Sequence, residues 1–188
     1  IEKISEQAKR GGKIIQQLRG YVQRNEPTLL PVMLADVIRD ALGMLDGHLR
    51  RHNARLTFSV FGDPFHIIAD AVQVQQVIVN LVSNACESNG KSAGRGKQID
   101  VLLTYGSSDA IMSVADDGGG IPAGAAQRLF EPFFTTKPNG IGMGLAVCKS
   151  IVEFHGGQIW LTTDPTTFHI QLPKASQSTS GGKPRPSS

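Results

Sequence analysis

Residues 70–88 read DAVQVQQVIVNLVSNACES, and this stretch has the strongest periodic pattern in the 188-residue chain. Its apolar side chains recur every three or four positions, at Val74, Val77, Ile78, Leu81, Val82 and Ala85. That spacing predicts an amphipathic helix from about Asp70 to Ser88 with one buried face. A second, polar stripe has the same spacing and comprises Gln73, Gln76, Asn80, Asn84 and Glu87.

The polar stripe indicates a task for this helix. Asn80 and Asn84 are one turn apart, and asparagine is a poor helix former. Amide oxygens on one face suit a hard cation such as Mg²⁺ whose charge is already balanced by phosphate. The plainer alternative is a solvated helix face.

Other patterns around this helix predict the fold class. Helices are predicted over residues 34–49, 122–129 and 145–155, and strands over residues 55–61, 98–105, 110–115, 158–163 and 167–172. Hairpins without regular alternation of strand and helix predict an α/β fold, a two-layer sandwich of a mixed, mostly antiparallel sheet packed on helices.

The two ends of the chain differ from its centre. A heptad stripe predicts an extra N-terminal helix that needs a partner helix, at Ile1, Ile4, Ala8, Gly11, Ile15, Leu18 and Val22. We therefore expect a helix in residues 1–26, one domain in residues 27–174 and a disordered Ser-, Gly- and Pro-rich tail in residues 175–188. The start at Ile1 rather than Met leads us to expect a fragment of a longer protein.

The composition excludes several classes of protein. With 40% hydrophobic residues and a net charge of +3, the chain can build a core and has no charge run that asks for nucleic acid. No 18-residue apolar stretch predicts a membrane span, so we expect a cytoplasmic domain. Cys86 and Cys148 fit neither a disulfide framework nor a zinc site and are predicted to be buried, reduced thiols.

A glycine-rich segment, Asp116-Asp117-Gly118-Gly119-Gly120-Ile121, follows the strand predicted at residues 110–115. A carboxylate at Asp116 can accept a hydrogen bond from an exocyclic amine, which adenine has where guanine has a carbonyl. Gly118 and Gly120 would let a flat ring or a phosphate approach the main chain closely. A simple acidic turn is the alternative.

Two further segments indicate phosphate binding. Residues 129–137, LFEPFFTTK, predict either core filling or a hinged lid held by Phe130, Phe133 and Phe134, with Lys137 reaching a phosphate. Residues 140–145, GIGMGL, precede a predicted helix, and a helix N-terminus after small residues favours an anion. It is not a dinucleotide-binding fingerprint, because no strand leads directly into it.

Together the four blocks resemble a known family, the catalytic ATP-binding domain of bacterial sensor histidine kinases in the GHKL superfamily. Asn80–Ala85 is similar to its N box, residues 116–121 to its G1 box, residues 130–137 to its F box and residues 140–145 to its G2 box. The words EPFFTTK look most like the nitrogen-regulation and oxygen-sensing kinases. The resemblance covers about Leu29 to Pro173.

The resemblance implies a Bergerat fold, with ATP between the N-box helix and the lid. It implies Asn84 as the Mg²⁺ ligand, Asn80 near the phosphates and Asp116 as the partner of the adenine amine. The full implied ATP-binding set is Asn80, Asn84, Asp116, Gly118, Gly120, Ile121, Phe133, Thr136, Lys137, Gly140, Gly142, Gly144 and Leu145.

The resemblance also implies partners. Residues 1–26 resemble the C-terminal part of a dimerisation and phosphotransfer helix, so we expect a phosphoacceptor helix hairpin, a homodimer in the full-length protein and, indirectly, a cognate response regulator. The full-length protein would be free to carry a membrane anchor. Two alternatives stay open: another GHKL ATPase or serine kinase, and a non-catalytic dimerising module with a vestigial ATP site.

The chain departs from the family pattern in several places. No histidine is followed by an acidic residue, so we expect a histidine kinase fragment that lacks its own acceptor and has no catalytic residue identified in this chain. The five histidines are predicted to be structural or surface residues. Glu87 stands where many relatives have a basic residue, so phosphate contacts would come from Lys137 or an arginine. Asp117 replaces a common asparagine.

Overall fold

The computed structural model of the chain describes residues 27–88, 96–122, 124–137 and 140–175. The helices are α1 (Leu34–Gly43), α2 (Asp46–Arg51), α3 (Ala71–Glu87) and α4 (Gly144–Phe154). The strands are β1 (Leu30–Met33), β2 (Ala54–Phe61), β3 (His66–Ala69), β4 (Lys97–Tyr105), β5 (Asp109–Asp116), β6 (Gln158–Thr163) and β7 (Thr166–Pro173). Within these ranges we find no helix with the length and apolar character that crossing a bilayer requires.

The main sheet has five strands in the order β2-β4-β5-β7-β6. β2 runs parallel to β4, and the other neighbouring pairs are antiparallel. α1 and α4 each pack against α3, which also contacts β4 and β5. The mixed, mostly antiparallel sandwich predicted from the sequence is confirmed.

The core lies between the sheet and this helical layer. Alternate residues of β4 are buried, including Ile99, Val101 and Leu103, because successive side chains of a strand point to opposite faces. The predicted apolar face of α3 is buried as well, and Val77 and Ile78 in its centre have no exposed surface. Apolar side chains that recur every 3.6 residues on the helix and every 2 residues on the strands therefore form the two facing layers of the core.

Both ends of α3 are fixed by side chains that lie outside the helix. The Asp70 carboxylate caps the N-terminus by accepting from Gln73 N at 3.1 Å. At the other end the Lys97 ammonium donates to Cys86 O at 2.6 Å and to Ser88 O. The C-terminal end of α3, next to Asn84 and Glu87, is thus held against the start of β4.

His155 joins α4 to the start of α3. Its Nε2 accepts from Asp70 N at 3.0 Å and its Nδ1 donates to Ile151 O at 2.7 Å, while the residue is 7% exposed. His169 lies on β7 between Ser113 and Thr162 and stacks on Trp160. These two histidines have structural environments, as predicted.

Three predictions of local structure were wrong or incomplete. The helix predicted over residues 34–49 is two helices separated by a turn after Gly43. In place of the helix predicted over residues 122–129, residues 124–130 are a run of turns, because Gly124 has φ of +80°, which a right-handed helix cannot contain. The small antiparallel pair of β1 and β3 was not predicted, since Pro31 is an unusual strand residue.

The predicted N-terminal helix of residues 1–26 lies outside the described residues. So does the predicted disordered tail from residue 176 onward.

Candidate functional site

The four sequence blocks meet at one end of the sandwich, around the C-terminal half of α3. Asp116 at the end of β5 reaches Ser88, directly after the helix. Lys137 reaches Asn84 on the helix itself. The segments 129–137 and 140–144 join each other through Phe133 N, which donates to Gly142 O at 2.9 Å.

At one end of this site is a buried carboxylate. Asp116 is 9% exposed, and its Oδ1 accepts from Ser88 Oγ at 2.9 Å and from Gly118 N at 2.9 Å. Two donors on one oxygen fix the orientation of the carboxylate before any ligand arrives. Ser88 was not identified from the sequence, although its position just after a helix was a signal that it could turn toward a neighbouring element.

Gly118 is required by this arrangement. A Cβ atom there would collide with Asp116 Oδ1 and would lie 2.5 Å from Ser88 Oγ. The next residue before it, Asp117, connects the start of this loop to β4, because its Oδ1 accepts a hydrogen bond from Gln98 N at 3.1 Å. Gly120 has φ of +80°, a conformation that favours glycine, and Ile121 packs against the core.

At the other end of the site, the positively charged side chain of Lys137 lies between two side-chain oxygens of α3. The Lys137 ammonium donates to Asn84 Oδ1 at 3.0 Å and to Glu87 Oε2 at 2.8 Å. Burial alone would raise the pKa of Glu87, but the hydrogen bond and charge of Lys137, with His48 and His52 behind them, hold that pKa below its usual value. The sequence pointed to Lys137 as a phosphate ligand but did not predict its pairing with Glu87.

Asn80 lies one turn before Asn84 and has a different partner. Its side chain interacts with the Cys148 thiol of α4, which donates to Val77 O of α3 at 3.9 Å, and burial raises the pKa of that thiol to about 12. Asn80 therefore lies at the junction of α3 and α4. Both cysteines are free and buried, as predicted.

The three phenylalanines of segment 129–137 do not act alike. Phe130 packs edge-on against Phe168, with ring centroids 6.4 Å apart, and Phe134 lies 4.5 Å from the Arg128 guanidinium carbon. Phe133 is 72% exposed and has φ of +67°, so the hypothesis that it holds the segment down by packing was wrong. Its main chain makes the contact instead: a Cβ at Gly142 would lie 2.5 Å from Phe133 C.

Lys137, at the end of segment 129–137, and the bare main chain of residues 140–144 both lie before α4. Thr135 Oγ1 accepts from Lys137 N at 3.1 Å, and Gly140 N donates to Lys137 O at 3.1 Å. A Cβ at Gly140 would collide with Thr135 Oγ1, whereas Gly144 has open space. α4 begins at Gly144 without a side-chain cap, Leu145 packs against the core, and Thr136 is exposed.

The arrangement suits an extended ligand with two different ends. A fixed carboxylate beside bare main chain fits a flat ring with an amine, and the cation-binding oxygens of α3 fit an anionic tail that brings a metal ion. Among the residues that the structure describes, no three His, Cys, Asp or Glu side chains form a metal cluster.

Comparison with known proteins identifies the family of this chain. Residues 69–176 match the family described as histidine kinase-, DNA gyrase B- and HSP90-like ATPase. The chain is 36% identical over 181 residues to the sensor protein FixL of Bradyrhizobium diazoefficiens, covering 94% of this chain and 35% of FixL. It is 34% identical to the C4-dicarboxylate transport sensor protein DctS of Rhodobacter capsulatus, covering 92% of this chain and 27% of DctS.

Solved structures of histidine kinases also match this chain. The catalytic domain of histidine kinase ThkA superposes with a TM-score of 0.68 at 30% identity, covering 78% of this chain and 95% of that domain. ThkA in complex with the response regulator protein TrrA matches with a TM-score of 0.73 at 26% identity, covering 93% of this chain and 50% of the kinase. The chain spans about a third of the length of the curated relatives it matches.

Proposed function

Because this chain belongs to the family of histidine kinase-, DNA gyrase B- and HSP90-like ATPases, as the ATP-binding catalytic domain of a sensor histidine kinase, we propose that the site around α3 binds Mg²⁺-ATP for phosphoryl transfer to a histidine. The observation that supports this most is the buried Asp116 carboxylate, which Ser88 and Gly118 hold at one end of the site. The other end of the site holds the Lys137 ammonium.

Asp116 is the proposed adenine partner. Its Oδ1 is occupied by two fixed donors, so the carboxylate is oriented to accept the exocyclic amine of adenine. Guanine would place a carbonyl oxygen against a carboxylate, and two acceptors facing each other are costly when desolvated. The site should therefore bind adenine nucleotides more tightly than guanine nucleotides, by a free energy of about 1 kcal/mol or more.

Asn84 is the proposed metal ligand, and its environment fits Mg²⁺. Its amide oxygen already accepts a hydrogen bond from a positively charged group, the Lys137 ammonium. A neutral oxygen ligand is appropriate for Mg²⁺ that phosphates also hold. When bound, the metal would neutralise the charge that builds up on the transferring phosphoryl group.

Lys137 and the main chain of residues 140–144 are the proposed phosphate-binding group. The ammonium needs only to leave Asn84 to reach a phosphate, and the N-terminus of α4 offers N–H groups without a side-chain cap. Positioning and charge neutralisation are the main tasks of a protein in phosphoryl transfer. The rest of the proposed ATP-binding set is Asn80, Gly118, Gly120, Ile121, Phe133, Thr136 and Leu145.

The acceptor would be a histidine on a helix hairpin of the family's dimerisation domain. His155 is buried and both its ring nitrogens are bonded, so it is a poor acceptor. We propose a homodimer in the full-length protein, a cognate response regulator as the later phosphate acceptor, and a cytoplasmic location, where ATP is available. The complex of ThkA with TrrA supports this arrangement by analogy.

Titration calorimetry with a non-hydrolysable ATP analogue tests the adenine assignment. Asp116→Asn should weaken binding by about 10- to 100-fold, because it replaces a charged acceptor that is worth about 1.5–3 kcal/mol. Asp100→Asn is the matched control, since this exposed carboxylate of β4 bonds Thr57 and Gln98 and is not one of the proposed ligand-binding residues. Unchanged binding by Asp116→Asn would refute the assignment.

A second titration, with and without Mg²⁺, tests the metal ligand. Asn84→Ala should remove most of the increase in affinity that Mg²⁺ gives the wild-type protein. Gln76→Ala, on the same polar face of α3 two turns earlier, should keep that increase. If Asn84→Ala keeps it too, the metal ligand lies elsewhere.

A further inference from the structure

A carboxylate stands three residues after the proposed metal ligand, where it should repel a triphosphate. Asn84 and Glu87 lie on the same face of α3, and both contact the Lys137 ammonium, at 3.0 and 2.8 Å. One ammonium therefore joins the polar stripe of α3 to a loop fifty positions further along the chain. The Glu87 charge is neutralised in this arrangement.

The loop presents this lysine in a defined way. Two hydrogen bonds hold the main chain of Lys137: its N–H donates to Thr135 Oγ1, and its carbonyl oxygen accepts from Gly140 N. The side chains of Lys137 and Glu87 are 35% and 43% exposed, so water and a ligand can reach the pair. An ion pair of this exposure contributes little to the stability of the fold. Its main consequence is to hold the Lys137 ammonium beside Asn84.

We propose that Glu87 is a positioning residue for the nucleotide and acts through Lys137. Its carboxylate keeps the ammonium beside Asn84, so that on nucleotide binding the ammonium exchanges the amide oxygen for a phosphate oxygen over a short path. Glu87 therefore assists binding of a negatively charged ligand despite its own negative charge. This inference rests on the proposed function, since it needs the phosphates to lie beside Asn84.

The proposal predicts that the effect of Glu87 changes sign when Lys137 is absent. With Lys137 present, Glu87→Gln releases the ammonium and should weaken binding of Mg²⁺ with a non-hydrolysable ATP analogue by about three- to tenfold. In a Lys137→Met background the carboxylate only repels phosphate. There Glu87→Gln should strengthen binding by about two- to fivefold.

Titration calorimetry on the four proteins, wild type, both single variants and the double variant, measures this cycle. Glu153→Gln is the matched control, because it breaks another exposed Glu–Lys pair, with Lys149 on α4, and should leave binding unchanged. Thermal unfolding of each variant checks that the fold is kept. A merely structural role for Glu87 would shift unfolding and would not invert the sign.

Two results would overturn the inference. If Glu87→Gln strengthens binding in both backgrounds, Glu87 only repels the ligand; if it changes binding in neither, Glu87 has no part in the site. In both cases loss of binding in Asp116→Asn would leave the proposed function standing. A wild-type protein that binds no adenine nucleotide would overturn both.

Discussion

The two ends of the site are built differently. At the proposed adenine end, Asp116 is 9% exposed and receives one bond from a main-chain N–H and one from a residue at a helix terminus. At the proposed phosphate end, Lys137 and Glu87 are 35% and 43% exposed and are joined by side chains alone. One end is fixed by a main-chain N–H and a hydroxyl group, and the other is closed by charged groups that can exchange partners.

The difference follows from what each end would bind. A base needs a rigid acceptor, because selection between an amine and a carbonyl depends on an orientation that does not adapt. Phosphates and a metal ion arrive and leave with large charge, so charged side chains that move at low cost are better suited to them. The proposed site combines a pre-formed end with an exchangeable one.

Gly118→Ala should give the largest effect, by disturbing the fixed end. The new Cβ would collide with Asp116 Oδ1 and crowd Ser88 Oγ, so the carboxylate must turn. We expect binding of an ATP analogue to weaken by about 10- to 100-fold, the value of a hydrogen bond to a charged group. Gly43→Ala, with open space around its Cβ, is the control, and equal affinities of the two variants would contradict the rigid-end interpretation.

Ionic strength should separate the two ends with a smaller effect. The screening length falls from about 10 Å at 0.1 M salt to about 3 Å at 1 M, so binding of an ATP analogue should weaken by about tenfold. Adenosine, which uses only the fixed end, should change by less than about twofold over the same range. Parallel loss of affinity for both ligands, measured by calorimetry, would show that charge does not distinguish the ends.

The smallest effect concerns protonation at the exchangeable end. Lys137 holds the pKa of Glu87 below its usual value, so the stability that the pair contributes is present above the unfolded-state pKa. It is lost as the pH falls through the lowered folded-state pKa, and it is small because the pair is exposed. Carboxyl-carbon NMR should show the Glu87 midpoint moving up in Lys137→Met, and an unmoved midpoint would mean that the contact is absent in solution.

Much of the fold could be predicted because it depends on local periodicity. The buried face of α3 and the alternation of β4 follow from side-chain spacing, and the hairpin of β4 and β5 follows from the turn at residues 106–108. The helix expected at residues 122–129 failed because the left-handed conformation of Gly124 overrides a pattern that is otherwise helical. Pairing of β1 with β3 depends on a contact between distant segments, which the pattern does not contain.

For the site, the sequence by itself determined which residue types are present and in what order. It placed Asn84 on a polar helix face and Asp116 at a strand end, because both positions follow from local spacing. The tertiary structure alone decided that Ser88 bonds Asp116 across 28 positions of the chain, and that Lys137 pairs with Glu87 across 50. Such contacts arise only when the sheet and helices pack, since no local pattern encodes which distant side chains meet.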